Sequence, residues 1–101
     1  MRTIYKYQLQ ITDAQVIYMP PNSTVISVAV QDGFLYCWAA VDIFPGDETE
    51  LFTVTIRIYG TGQPLEMDAP LLGRYERFIG TVLMPPFVWH VFQVYGGVTE
   101  C

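Results

Sequence analysis

From Phe52 to Tyr59 the side chains alternate without a break: Phe52, Val54, Ile56 and Ile58 on one parity, Thr53, Thr55, Arg57 and Tyr59 on the other. A repeat of two sends successive side chains to opposite faces of a pleated backbone, so this stretch reads as a half-buried strand. It runs straight into Gly60-Thr61-Gly62, where glycine lets the chain turn. No segment shows the sustained 3.6-residue repeat of helix formers that an ordinary helix needs. A chain patterned in this way folds as sheet.

The same alternation recurs on both sides of that strand. Tyr5, Tyr7, Leu9 and Ile11 alternate with Lys6, Gln8, Gln10 and Thr12, which predicts a first strand with one wet face. Asp13-Ala14 reads as a turn and Gln15 to Met19 as a short second strand. Pro20-Pro21-Asn22-Ser23 ends it, because two prolines remove two backbone donors. Thr24 to Gln31 predicts a third strand with Ile26, Val28 and Val30 on one face. Asp32-Gly33 joins it to a fourth, Phe34 to Val41. Asp-Gly between two β-rich runs predicts a type I′ hairpin with Gly33 at positive φ. The fourth strand is apolar on both faces, which places it centrally or against another subunit.

Asp42 to Thr49, with Pro45-Gly46, reads as an acidic, exposed connection. Gly60 to Leu72 reads as an irregular loop long enough to carry function. Arg74 to Leu83 predicts a sixth strand, Met84-Pro85-Pro86 a break, and Phe87 to Tyr95 a seventh strand, apolar on both faces. Residues 96–101 read as an irregular tail. The expected architecture is a single all-β domain over residues 1–101, a small sandwich or barrel of about seven mostly antiparallel strands.

Composition adds an expectation about assembly. Of 101 residues 51% are apolar and only 15% charged, against roughly 25% charged in a typical soluble domain. A domain this small cannot hide so much apolar side chain, and what stays outside favours a homo-oligomer. Five Lys and Arg against ten Asp and Glu give a net charge of −5. Duplex nucleic acid needs a basic face and is excluded as a partner. The densest acidic cluster, Asp42, Asp47, Glu48 and Glu50, is too sparse for a DNA mimic. The two cysteines, Cys37 and Cys101, lie far apart and do not form a disulfide framework. Cys37, inside an apolar strand, reads as a buried thiol. Arg2 and Lys6 have no apolar run behind them, and no stretch reaches the 18 or more apolar residues of a membrane span. The expected setting is a reducing cytoplasm, without a membrane partner.

Few residues offer chemistry. His90 is the one histidine, and neither Cys37 nor Cys101 stands at a metal-ligand spacing from it. No metal or cofactor is expected, and no pair of carboxylates poised for acid–base work stands out. His90 and Cys37 share no local catalytic motif, so a binding role is expected rather than catalysis. In an aromatic-rich strand His90 reads as a packed or interface residue, with ligand contact as the alternative. Gly60-Thr61-Gly62 lacks the third glycine and following helix of a dinucleotide fingerprint or P-loop. Its backbone amides can still form an anion-binding nest. Arg57 and Tyr59 share the polar face leading into that turn, and a guanidinium, a ring and a nest together suit a phosphorylated, ring-bearing ligand. The plainer alternative is a turn beside a solvated arginine. Arg74, Glu76 and Arg77 read as surface ion pairing.

Several strings taken together resemble a known family. They are Lys6-Tyr7-Gln8-Leu9-Gln10-Ile11-Thr12-Asp13, Ile26-Ser27-Val28-Ala29-Val30-Gln31-Asp32-Gly33 running to Trp38-Ala39, Arg57-Ile58-Tyr59-Gly60-Thr61-Gly62-Gln63-Pro64, Phe78-Ile79-Gly80-Thr81 and Trp89-His90-Val91-Phe92. The family consists of small phage-encoded proteins classed as a domain of unknown function. The similarity covers roughly residues 5–95, and Arg57 to Gly62 is its most specific piece. The resemblance implies a phage gene acting in the bacterial host cytoplasm. It further implies a counter-defence role, in which a compact homo-oligomer sequesters a nucleotide signal at pockets between subunits. No catalytic residues come with it. The expected ligand-binding set is Arg57, Tyr59, Gly60, Thr61, Gly62 and His90. The alternative is a protein-interaction module that inhibits a host or phage protein through its apolar or acidic surface.

Overall fold

The computed structural model describes residues 1–43, 51–65 and 74–96. Seven strands follow one another: β1 (Arg2–Leu9), β2 (Ala14–Met19), β3 (Thr24–Gln31), β4 (Phe34–Asp42), β5 (Phe52–Gly60), β6 (Arg74–Met84) and β7 (Phe87–Gly96). They pair antiparallel in two open sheets, one of order β1-β4-β3, the other β2-β5-β7-β6. Most of the acidic connection after Asp42, Glu66 and Asp68 of the long loop, and Cys101 lie outside the described residues. Among the described residues no helix is long and apolar enough to cross a membrane.

The inward faces of the two sheets meet in one apolar cluster. Leu9, Val25, Leu35, Cys37, Ala39 and Val41 enter it from the first sheet, and Met19, Val54, Ile56, Ile58, Val82 and Val91 from the second. Each fully buried Leu, Ile or Val contributes about 1.5–3 kcal/mol by leaving water. β4 is central, one of the two placements its apolar faces allow: Leu35, Cys37, Ala39 and Val41 are buried, while Tyr36 and Trp38 lie half-buried on the other side. The β3–β4 hairpin turns through Asp32 at φ 53° and Gly33 at φ 82°, the pair of positive values that a type I′ turn demands.

Three departures from simple alternation have local causes. β1 stops at Leu9 rather than running on past Ile11, because the Gln15 side chain takes over the backbone of Gln10: its Oε1 accepts the Gln10 N–H at 3.0 Å and its Nε2 donates to the Gln10 carbonyl at 2.8 Å. In β3 the register shifts between Val25 and Ser27. The extra residue, Ile26, is 47% exposed, so Val25 joins Val28 and Val30 on the inner side. In β6 a second shift falls between Phe78 and Gly80, with Ile79 as the extra residue. A bulge of this kind reverses the parity of everything after it.

The two bulged strands pack against each other. A Cβ on Gly80 would meet Val28 Cγ2 at 3.0 Å, so a side chain there would press on Val28 where β6 and β3 come together. Beside that contact the sheets are tied by polar groups. Arg77 Nη2 donates to the Val25 carbonyl and, at 3.3 Å, to Gln93 Oε1, and Gln93 Oε1 also accepts the Val25 N–H at 3.2 Å. Arg77 is therefore a part-buried cross-sheet tie and not a surface ion-pair partner.

Candidate functional site

β5 delivers its last residues into a closed turn. The Gly60 carbonyl accepts the Gln63 N–H at 3.0 Å, and Gly62, third in the turn, has φ 89°. That is a type II turn, whose third position favours glycine. Gln63 closes it a second time, since its Oε1 accepts the Gly60 N–H at 3.0 Å. The Gly60 amide is thus already committed within the turn, and an anion there would meet the Thr61 and Gly62 amides instead.

β7 runs alongside and places His90 opposite Tyr59, while β6 places Thr81 opposite His90. The adjacent Val91 is buried in the core, so His90 faces away from it. Its Nε2 lies 2.8 Å from Thr61 Oγ1 and its Nδ1 2.9 Å from Thr81 Oγ1. A hydroxyl either donates or accepts, so these two threonines hold the ring in either tautomer or as imidazolium. Cys37 faces the core from the other sheet, where burial pushes its thiol up to about 11. The His90–Cys37 pair is not formed. Tyr7, opposite Cys37 in the ladder, is also raised, first by burial and then by Cys37 and Tyr5.

Tyr59 departs most from the sequence reading. It sits on the polar parity of β5 yet is only 1% exposed. Phe92 covers it edge-on, with ring centroids 5.4 Å apart at 86°, and Phe78 packs on Phe92 at 5.4 Å. The Tyr59 hydroxyl donates to Glu76, at 2.8 Å from Oε1 and 3.0 Å from Oε2, and accepts from Arg57 Nε at 3.0 Å. Arg57 Nε stands 3.8 Å from Glu76 Oε2, whose side chain is fully buried. Glu76 is therefore not a surface partner of Arg74 and Arg77, as its sequence neighbours suggest. It is a buried carboxylate neutralised by Arg57 through a buried phenol.

Tyr59, Gly60, Thr61, Gly62 and His90 meet around a hollow of about 250 Å³, together with Gln63, Leu65, Phe78 and Phe92. Arg57 is absent from that lining, since its guanidinium turns to Glu76 and Tyr59. Phe92, Phe78, Gln63 and Leu65 are the contributors that sequence reasoning missed. Phe92 shares parity with His90 on β7 and was readable from alternation; Phe78 joins through its pairing with Phe92. Among the described residues no three of the His, Cys, Asp and Glu side chains gather to hold a metal ion.

A family model described as a domain of unknown function, DUF7352, matches residues 1–100. The chain belongs to the DUF7352 family. No curated protein matches it, and no solved structure does. Within this DUF7352 chain the Arg57 to Gly62 string thus covers two adjoining devices: a buried Arg57–Tyr59–Glu76 unit and, one residue on, the turn that rims the hollow.

Proposed function

We propose that this protein is a non-catalytic binding protein that captures a small, nucleotide-type ligand at the Gly60–Gln63 turn. The observation that supports this reading is the meeting of Tyr59, Gly60, Thr61, Gly62 and His90 around one hollow with an aromatic floor. Phe78, 53% exposed, offers a face to a planar base, and Thr61, Gln63 and His90 offer polar groups at its edge. A phosphate would rest on the Thr61 and Gly62 amides, with His90 holding the Thr61 side chain beside them, because Arg57 already serves Glu76. The hollow, about 250 Å³, is below the roughly 300–1,000 Å³ usual for ligand pockets. A second copy of the chain would supply the missing wall, in keeping with a homo-oligomer. Leu65 and Phe78, 43% and 53% exposed at the rim, suit such a contact. The likeness to small phage proteins extends the reading to a phage accessory protein that sequesters a host defence signal in the bacterial cytoplasm.

The test is a thermal-shift panel of cyclic mononucleotides, cyclic dinucleotides and ADP-ribose derivatives. One member should raise Tm by several degrees, Thr61→Val and His90→Ala should abolish the rise, and the ligand should come back unchanged after the complex is denatured. A flat panel overturns the reading, and a converted ligand makes the protein an enzyme.

A second reading has its own support. The outer face of the first sheet exposes Ile4 (57%), Ile26 (47%) and Phe34 (54%). Ile4, Ile26, Ser27 and Trp38 line a shallow depression there of about 330 Å³. A face of this kind suits a module that inhibits a host or phage protein. A stoichiometric partner in a pull-down that Ile26→Lys abolishes would favour it over ligand capture.

A further inference from the structure

A second hollow, of about 280 Å³, opens at the opposite end of β5, where the Pro20–Ser23 turn meets the start of β5 and the end of β7. Gln93, Tyr95, Ser23 and Thr53 give it polar groups, Phe52 and Val54 apolar ones, and among the described residues no Asp or Glu lines it.

Gln93 is only 4% exposed. Its Oε1 receives two donors, the Val25 N–H at 3.2 Å and Arg77 Nη2 at 3.3 Å. Those donors fix the carboxamide, since a flip would set its NH₂ against both of them. Its Nε2 therefore carries two N–H donors, and no described residue accepts from them. Buried donors are seldom left without an acceptor, and one facing a hollow calls for an acceptor in that hollow.

Arg77 adds the sign of the charge. Its donors go to the Val25 carbonyl, to Gln93 Oε1 and, at 3.1 Å, to the Tyr95 hydroxyl, all of them neutral. Arg2 and Arg57 each have a carboxylate within ion-pair distance, whereas among the described residues Arg77 has none. A part-buried cation with no carboxylate beside it among the described residues, behind two residues that line the hollow, favours an anion there.

We propose that this hollow binds a small organic carboxylate. One carboxylate oxygen accepts from Gln93 Nε2, in the field of Arg77, and the apolar body lies against Phe52 and Val54. Its volume suits a single ring or a short chain. The site is separate from the one at the Gly60–Gln63 turn, and either stands without the other.

The experiment is a titration of ¹⁵N-labelled protein with benzoate, and with benzamide as its uncharged counterpart. Benzoate should shift the Gln93 side-chain NH₂ saturably, and benzamide should bind roughly tenfold more weakly. Gln93→Glu keeps an oxygen toward Val25 and Arg77 but replaces the donor with a second oxygen, so it should abolish the benzoate response. A Gln93 NH₂ unmoved by benzoate at tens of millimolar means that water satisfies it, and overturns the proposal. Equal responses to benzoate and benzamide, or benzoate shifts confined to the Gly60–Gln63 turn, overturn it too. The wild-type titration decides by itself should the variant fail to fold.

Discussion

Arg57, Tyr59 and Glu76 act as a unit, and each member depends on the others. Removing the guanidinium leaves a fully buried carboxylate without its counter-charge, so Arg57→Met should cost about 3–5 kcal/mol in urea unfolding. Tyr59→Phe takes away one hydrogen bond and leaves the charges, and should cost about 1–3 kcal/mol. An Arg57→Met, Glu76→Gln double variant that recovers most of the first loss would identify the unpaired charge as its cause. Cys37 makes a different prediction. Its thiol goes from 9.0 to about 11 on burial, so between those values the unfolded chain loses its proton first. The contribution of Cys37 to stability is then constant below pH 9 and falls as the pH rises to 11, by about 2 kcal/mol, and Cys37→Ala should reduce the alkaline slope to what Tyr7 leaves. Cys37 was legible because an apolar strand holds a thiol simply as a small hydrophobe. Glu76 was not. Its partners lie 17 and 19 positions back along the chain and reach it across β7, whereas Arg74 and Arg77 stand beside it in the sequence.

The strands themselves were readable, because alternation and turn residues are local signals. Thr24 to Gln31 and Asp32-Gly33 fell where the sequence put them. The bulges at Ile26 and Ile79 were not readable, since an extra residue in a ladder changes neither composition nor propensity and shows only against its partner strand. They matter because they turn Arg77 and Gly80 toward β3. Gly80→Val should cost about 1–3 kcal/mol through overpacking against Val28, whose Cγ2 is only 3.0 Å from where a Cβ would sit. A paired Val28→Ala should restore part of that loss, and equilibrium unfolding of the two variants checks it. The hollow at the Gly60–Gln63 turn was half legible for a similar reason. The turn announced itself by its glycines, while its aromatic floor depends on the β6–β7 register.

At the level of the molecule, composition signalled that apolar surface would stay outside, and it does, on Ile4, Ile26 and Phe34 of one sheet and on Val16, Tyr18 and Leu83 of the other. It did not signal which face. Copies that each carry a net charge of −5 repel one another, so association through apolar surface should tighten as salt screens that repulsion. Sedimentation from low to physiological ionic strength should show the mass rising above 11.5 kDa, and Ile26→Lys should lower it if the first sheet is the contact. A mass of one chain under all conditions would remove the shared wall invoked for the hollow.

The amide of Val25 donates across the molecule to a side chain on the opposite sheet. Its proton is shielded only while the two layers stay together, whatever happens to the ends of either ladder. The rate at which deuterium replaces it is therefore a built-in clock for the separation of the layers, readable at a single resonance.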